Sequence, residues 1–183
     1  MTDLELIEQT IKGENHAFTT LVNKHKSMTF SLALRITQDT ELAEEIAQDV
    51  FTKVYFGLKD FNRESKFTTW LYRIVINTSY TALRQKKPYE KVNFENNFIE
   101  IAHSIDGFEL LKQEDRNKSI QLALDELEKM EAVILTLFYL EEYSIQEIVE
   151  TTGLSQANVK VKLHRARKKI AEIIQSKFIE LID

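Results

Sequence analysis

The chain has 183 residues, of which 43% are hydrophobic, so it can bury the cores of one or two small globular domains. It contains no cysteine, which excludes disulfide frameworks and thiolate metal sites, and its four histidines are scattered without ligand spacing. The formal net charge of -5 argues against indiscriminate binding to nucleic acid, and the acidic start and short apolar runs predict neither a signal peptide nor membrane insertion, so we expect a cytoplasmic protein.

The amino-terminal part of the chain predicts helices. Residues 3–34 have apolar side chains at helical spacing, with a break near Gly13. Asp39 or Thr40 can cap the next helix, in which apolar residues recur every four positions from Leu42 onward and form one stripe. Because the whole chain has only one proline and four glycines, few residues interrupt helices, and we predict an all-α fold.

Residues 61–87 form the first of two basic islands, with six basic residues and one acidic residue, a net charge of +5. On a helix over this segment we expect Tyr72 and Ile76 on the outer surface. A polar stripe with Trp70 at its edge is formed by Arg73, Asn77, Tyr80 and Arg84. Rings interleaved with cations suit single-stranded DNA, because bases stack on the rings while the cations hold the backbone. The alternative is that Trp70 and Phe67 are core residues.

After Pro88 the apolar pattern weakens. Residues 91–117 are acidic and only irregularly apolar, so we interpret them as a linker. A helical segment is predicted to resume over residues 116–129, and the apolar run EAVILTLFYL that follows is predicted to be buried on most sides. The chain is therefore predicted to form two small helical domains, in residues 1–90 and 118–183, joined by a linker.

The carboxy-terminal part has the layout of a helix-turn-helix. Ser144 and Glu147 match a capping box, Gly153 supplies the turn, and Ser155 caps the second helix. The apolar residues that should dock this helix on the first one are Val159, Leu163, Ala166 and Ile170. The opposite face is basic, since residues 151–171 contain six basic residues and no acidic one.

We interpret this basic face as a recognition surface for the DNA major groove. Its candidate DNA-contacting residues are Lys160, Val161, Lys162, His164, Arg165 and Lys168. An arginine can make two hydrogen bonds to guanine, an exposed valine can contact a thymine methyl group, and lysines meet phosphates. Val161 is the informative residue, because an exposed valine among cations has no role in solubility. The alternative is an ordinary helical hairpin with a basic outer face.

Three stretches of the chain, in this order, carry a family resemblance: AEEIAQDVFTKVY, FNRESKFTTWLYRIVINT and LSQANVKVKLHRARKKI. Together they resemble the bacterial RNA polymerase sigma factors, specifically the extracytoplasmic-function (ECF) group of the sigma-70 family. The first is similar to the helix that binds the polymerase clamp, the second to the minus-10 and promoter-melting segment, and the third to the minus-35 recognition helix. The resemblance implies sigma region 2 in residues 1–90, an acidic linker in residues 91–117 and sigma region 4 in residues 118–183.

The resemblance also implies roles for matching residues. The polymerase contact would lie at Glu45, Gln48, Asp49 and Phe51. The loop residues Phe61, Asn62, Ser65 and Lys66 would capture an unstacked minus-10 base together with Asn77, and Trp70 and Tyr72 would lie beside the melting surface. The polar-stripe residues Arg73, Tyr80 and Arg84 complete the candidate minus-10 contacts. The chain departs from the family's usual residues at His25, Thr81 and Ile76, which leaves its fine promoter preference open.

The function implied is transcription initiation. The chain would bind core RNA polymerase through its clamp and flap, recognise minus-10 and minus-35 elements of promoter DNA, promote strand opening and be regulated by an anti-sigma factor. No cofactor and no catalytic role are expected, because no Ser/His/Asp arrangement or carboxylate cluster is visible. The main alternative is an autonomous helix-turn-helix regulator that binds duplex DNA without polymerase. A helical adaptor that binds only proteins is a further alternative.

Overall fold

The structure is a computed structural model that describes residues 1–86, 124 and 126–180. Over these residues it contains seven α-helices and no β-strand, which confirms the predicted all-α fold. The helices are α1 (Asp3–Ile11), α2 (Asn15–Thr37), α3 (Thr40–Gly57), α4 (Phe67–Lys86), α5 (Lys129–Tyr139), α6 (Ile145–Thr152) and α7 (Gln156–Glu180). A short 3-10 helix, Leu58–Asp60, links α3 to the loop before α4. The predicted linker, residues 91–117, lies outside the described residues.

Several predicted helix ends can be compared with the structure. Gly13, with φ of 96°, separates α1 from α2. Asp39 caps α3, where its side chain accepts the Leu42 N–H at 3.0 Å. The helix predicted over residues 116–129 lies mostly outside the described residues, but its end is interrupted, because Glu128 has an extended backbone and is the N-cap of α5.

The first domain is built by α1 to α4. In α3 the predicted apolar stripe is buried, with 7% exposure or less at Leu42, Ile46, Val50, Val54 and Leu58. This stripe meets α2 and α4, which contribute Leu21, Ile36, Leu71 and Val75 to the same core. Because the apolar faces of three helices meet here, the polar faces of α3 and α4 point outward.

The second domain contains the predicted helix-turn-helix. Ser144 Oγ accepts the Glu147 N–H at 3.2 Å, and the Glu147 carboxylate accepts the Ser144 N–H at 2.8 Å, which confirms the capping box of α6. Gly153 ends α6 with φ of 71°, the left-handed region that favours glycine. Ser155 Oγ accepts the Asn158 N–H at 3.3 Å and caps α7. Of the docking residues of α7, Val159, Leu163 and Ala166 are buried and Ile170 is half-buried.

The two domains pack against each other, α6 on α4 and α5 on α2. This contact corrects one prediction, because Tyr72 and Ile76, expected on the outer surface of α4, are only 2% and 3% exposed. The Tyr72 ring stacks on the ring of Tyr143 in the second domain, with centroids 6.1 Å apart. The periodicity of α4 shows that these residues share a face outside the core of the first domain. It does not show that the second domain covers this face.

Candidate nucleic-acid and polymerase interfaces

The outward face of α7 brings together five of the six residues predicted to contact the minus-35 element. They are exposed along one side of the helix: Lys160, Val161, His164, Arg165 and Lys168. Val161 is 46% exposed, so its two methyl groups are accessible between the basic side chains. The arrangement offers a guanine-reading arginine, a contact for a thymine methyl group and lysines for phosphates on a single helix face.

Two other basic side chains of α7 are engaged within the second domain. Lys162 is half-buried, and its Nζ lies 2.5 Å from Glu128 Oε2. Arg167 donates from Nε to the hydroxyl of Tyr139 at 2.9 Å, and its guanidinium lies 5.1 Å from the centroid of the Phe138 ring. Lys162 therefore stands apart from the other predicted minus-35 residues in this conformation.

The outward face of α4 carries a second cationic stripe. Arg73, Asn77 and Arg84 are exposed, and their spacing of four and seven positions places them on one side of the helix. Tyr80, predicted on the same stripe, is half-buried. Burial raises the pKa of Tyr80, and the negative charge of Glu128 raises it further, so the phenol stays neutral.

The loop between the 3-10 helix and α4 has a constrained backbone. Arg63 adopts φ of 61°, in the left-handed region that non-glycine residues seldom occupy. Its guanidinium lies 2.9 Å from Glu8 Oε1, which ties the loop to α1. The Asn62 side chain accepts the Glu64 N–H at 3.3 Å. Of the four loop residues predicted to capture a base, Asn62 and Lys66 are exposed, Ser65 is half-buried and Phe61 is buried.

A cleft of about 280 Å³ opens beside this loop. Its lining residues come from α1 and its cap and from the loop and the start of α4: Thr2, Asp3, Leu4, Arg63, Ser65, Lys66, Phe67 and Thr68. The sequence prediction included Ser65 and Lys66 but missed the wall formed by α1. The available signal was the acidic first turn of α1, since an acidic segment close to a basic loop can pair with it.

Three aromatic rings cluster beneath the loop. Trp70 lies 5.3 Å from Phe61 and 6.0 Å from Phe67 between ring centroids. Phe61 and Phe67 are 7% and 3% exposed, so the core interpretation is confirmed for Phe67, and Phe61 supports the loop from inside. Trp70 is half-buried, and its ring packs closely on Gly57, since a Cβ at position 57 would lie 3.2 Å from the ring. Trp70 alone of the three keeps part of its ring accessible.

A groove of about 490 Å³ runs between α2 and α3. Its apolar lining is formed by Phe18, Val22, Ala47, Phe51, Tyr55 and Phe56. Of the predicted polymerase contacts, Gln48 and Phe51 line the groove, although Phe51 is only 8% exposed. Glu45 and Asp49 are exposed on the same helix. The prediction missed the other aromatic residues of the groove, although Phe56, 74% exposed, stands outside the buried stripe of α3.

A polar cluster holds the start of α1 against α2. Lys24 Nζ and His25 Nε2 lie 2.6 Å and 3.2 Å from Asp3 Oδ1. Burial alone would raise the pKa of Asp3, but the hydrogen bond from Lys24 and the close contact with His25 outweigh it and lower the pKa. Among the described residues, no group of three or more His, Cys, Asp or Glu side chains is placed to hold a metal ion. Within the same ranges, no helix combines the length and apolarity needed to cross a membrane.

Sequence comparisons match both halves of the chain to parts of one family. The family model for Sigma-70 region 2 matches residues 21–89, and the model for Sigma-70, region 4 matches residues 117–170. The ECF RNA polymerase sigma factor SigW of Bacillus subtilis is 29% identical over 170 residues, covering 88% of this chain and 91% of that protein. The ECF RNA polymerase sigma-E factor of Escherichia coli is 28% identical over 186 residues, covering 96% and 95%.

Solved structures share the helical fold. CnrH, solved in complex with the cytosolic domain of CnrY, aligns with a TM-score of 0.66 at 22% identity, over 95% of this chain and 97% of that one. The sigma factor RpoE of Bartonella quintana, solved with the anti-sigma factor NepR, aligns with a TM-score of 0.70 at 18% identity, over 86% and 96%. At these identities the likeness concerns the fold alone.

Proposed function

The chain belongs to the ECF group of the sigma-70 family, and we propose that it directs core RNA polymerase to promoters through two separate DNA-contacting faces. It acts as a transcription initiation factor that recognises minus-10 and minus-35 elements and promotes strand opening. The observation that carries the proposal is the pair of outward cationic faces, on α4 in one domain and on α7 in the other. A reader of duplex DNA alone needs only the face on α7, whereas the stripe on α4 suits unpaired bases.

In this proposal α7 enters the major groove of the minus-35 element. Arg165 makes two hydrogen bonds to a guanine edge, and Val161 contacts a thymine methyl group. The lysines at either end of the face bind flanking phosphates, which position the helix without reading sequence. Lys162, paired with Glu128, adds positive charge behind the contact.

The opened minus-10 element is held by α4 and the loop before it. Arg73 and Arg84 neutralise phosphates, and the amide of Asn77 hydrogen-bonds a base. The loop residues Asn62, Ser65 and Lys66 surround an unstacked base, with Phe61 supporting them from below and the accessible part of Trp70 and Tyr80 available for stacking. Unpaired bases bound in this way keep the strands apart.

The polymerase clamp binds the groove between α2 and α3. Its aromatic lining provides the apolar centre of an interface, and Glu45, Gln48 and Asp49 provide a polar rim. We assign this contact and the minus-10 contact to residues 1–90, the connection to residues 91–117, and the minus-35 and flap contacts to residues 118–183. The polymerase then positions both basic islands, which explains why they occur in an acidic chain.

We propose that the regulation of this chain and its location in the cell are those of the family. An anti-sigma factor binds the chain and restrains it; the sigma factor RpoE of Bartonella quintana, which shares the fold, was solved in complex with the anti-sigma factor NepR. The members of the family act as transcription factors, and phosphodiester chemistry belongs to the polymerase, so we assign no catalytic residue and no cofactor to this chain. We place the protein in the cytoplasm, where the polymerase works.

Transcription with purified core polymerase tests the function. Fragmented DNA from the source organism is transcribed with and without the protein, and the starts are mapped by sequencing. We expect new starts that share two upstream elements. An absence of factor-dependent starts, together with tight duplex binding by the protein alone, would replace this proposal by the autonomous regulator.

A further inference from the structure

The second domain is tied to the loop that precedes α4. Lys66 Nζ lies 2.6 Å from Glu147 Oε1, in the first turn of α6. Close by, the Tyr143 hydroxyl donates to Thr68 Oγ1 at 2.6 Å, and Lys66 Nζ lies 5.8 Å from the centroid of the Tyr143 ring. Lys66, one of the residues that we propose around an unstacked base, is therefore paired with a carboxylate of the other domain.

The contact continues along α4 with a buried tyrosine. The Tyr72 hydroxyl donates to Glu141 Oε2 at 2.8 Å, while its ring stacks on Tyr143. Ile76, one turn further along, is buried on the same side. If the second domain moved away, the Tyr72 ring would lose its cover of Tyr143 and face water, so its burial favours the closed arrangement.

The charges on the two sides of this contact are opposite. Residues 61–87 have a net charge of +5, whereas residues 132–150 contain four acidic residues and no basic one. Glu141 and Glu147, which make the two charged contacts, belong to this acidic segment. Carboxylates that face a DNA-binding surface occupy the place of nucleic-acid phosphates and compete with them.

The second domain covers only part of the surface that we assign to the minus-10 element. Lys66 is paired at one end of that surface, and Tyr80 is half-buried near Glu128 at the other. Arg73 and Asn77 remain exposed between them. Promoter DNA can therefore meet the exposed residues first, and it then competes with the carboxylate of Glu147 for Lys66, whose side chain is 66% exposed in the pair.

We propose that Lys66, just before α4, and the face of α4 with Tyr72 form a docking surface for this chain's own second domain, and that single-stranded minus-10 DNA and this domain exclude each other there. The inference rests on the proposed function, because it takes Lys66 as a residue that binds DNA. The closed arrangement keeps the free protein from binding unpaired DNA at random. Binding to polymerase, which needs the two domains at two separate promoter elements, favours the open arrangement.

Fluorescence energy transfer between the domains tests the docking. The chain has no cysteine, so dyes can be attached at T20C in α2 and Q156C in α7, both exposed positions outside the assigned surfaces. We expect high transfer at low salt, and lower transfer as salt screens the ion pair. A short single-stranded oligonucleotide that spans a mapped minus-10 element should lower the transfer, and one of scrambled sequence should do so less.

Variants that neutralise the acidic residues of the second domain test whether these residues compete with DNA. Glu141→Gln combined with Glu147→Gln should lower the transfer and tighten oligonucleotide binding by about tenfold, if the open form is a minor population of the free protein. Glutamine at position 147 keeps the capping box, so α6 should remain folded, which circular dichroism checks. Glu142→Gln combined with Glu150→Gln is the matched control, since it removes the same number of charges, two, from exposed positions of the same acidic segment.

The outcomes separate this inference from the function. Unchanged transfer and unchanged affinity in the double variant, with normal transcription alongside polymerase, would overturn the docking proposal and leave the function standing. Equal effects of the Glu142 and Glu150 control and of the Glu141 and Glu147 variant would also overturn it, because net charge would then explain the change. A protein that shows salt-dependent transfer but never supports transcription would overturn the function and the role given to Lys66.

Discussion

Arg165 and Arg167 are two positions apart on α7 and have different neighbours. Arg165 is exposed on the same face as Val161. Arg167 is hydrogen-bonded to Tyr139 and lies over the Phe138 ring, so it holds α7 against α5. Both residues look alike in a count of basic side chains, and only the position of the aromatic pair distinguishes Arg165, which is free to face a partner, from Arg167, which packs on the rings.

We predict that Arg165→Ala lowers promoter discrimination by about 1–3 kcal/mol, because a two-bond contact to a base edge is lost. Transcription from a set of mapped promoters with single minus-35 substitutions measures this loss. Arg167→Ala is the matched control and should keep the ranking of promoters while lowering the stability of the second domain by roughly 1 kcal/mol. The same change of ranking in both variants would contradict the assignment of Arg165.

His25 shows how a departure from a family pattern can preserve its geometry. Its ring lies edge-on to Phe67, with centroids 5.4 Å apart, so it still fills the site of an aromatic side chain. Its Nε2 lies 3.2 Å from Asp3 Oδ1, a contact that a phenylalanine could not make. The departure therefore fastens α1 to α2, and because His25 is buried it adds nothing to the exposed faces of α4 and α7.

At the level of helices, the groove between α2 and α3 separates side chains that fold the domain from those that can bind a partner. Phe51 is 8% exposed, whereas Phe56, on the same helix, is 74% exposed. An exposed ring beside an apolar groove gains contact area when a partner covers it, while a buried ring already stabilises the fold.

We predict that Phe56→Ala weakens binding to core polymerase by about 2 kcal/mol and leaves the melting temperature nearly unchanged. Titration of labelled protein with core polymerase, together with thermal unfolding, measures the two effects. Phe51→Ala is the contrasting variant and should lower stability by about 3–5 kcal/mol, because it leaves a cavity. Full polymerase affinity in a folded Phe56 variant would exclude this groove as the clamp contact.

Helix ends and the outward face of α7 could be predicted from the sequence because their causes are local. The capping box at Ser144, the turn at Gly153 and the docking stripe on α7 each depend on residues within a few positions of one another. The groove was missed because it forms between two helices, one of which contributes Phe18 from far along the chain. Contacts between distant segments leave no periodic signal in either segment.

At the scale of the whole molecule, the burial of Tyr72 could not be predicted for the same reason. Its partners Glu141 and Tyr143 are separated from it by 69 and 71 positions, including the linker. The opposite charges of residues 61–87 and 132–150 were visible in the sequence, but composition does not show whether two charged segments face each other or face solvent. In the structure the two segments face each other, through the contacts of Glu141 with Tyr72 and of Glu147 with Lys66.

The pH dependence of the domain contact should follow Glu147. Hydrogen bonds from the Lys66 ammonium and from the backbone and side chain of Ser144 lower the pKa of Glu147 from 4.5 to about 2. A carboxyl whose pKa is lower in the folded state stabilises that state fully above its ordinary pKa, and the contribution is lost as the pH falls toward the folded value. We therefore predict that wild type exceeds Glu147→Gln in free energy of unfolding by a constant amount above about pH 5, and that the difference vanishes between pH 4.5 and 2. Urea unfolding at a series of pH values measures this difference. If the difference between wild type and variant were the same at pH 2 as at pH 7, the side chain of Glu147 would contribute through its shape rather than its charge.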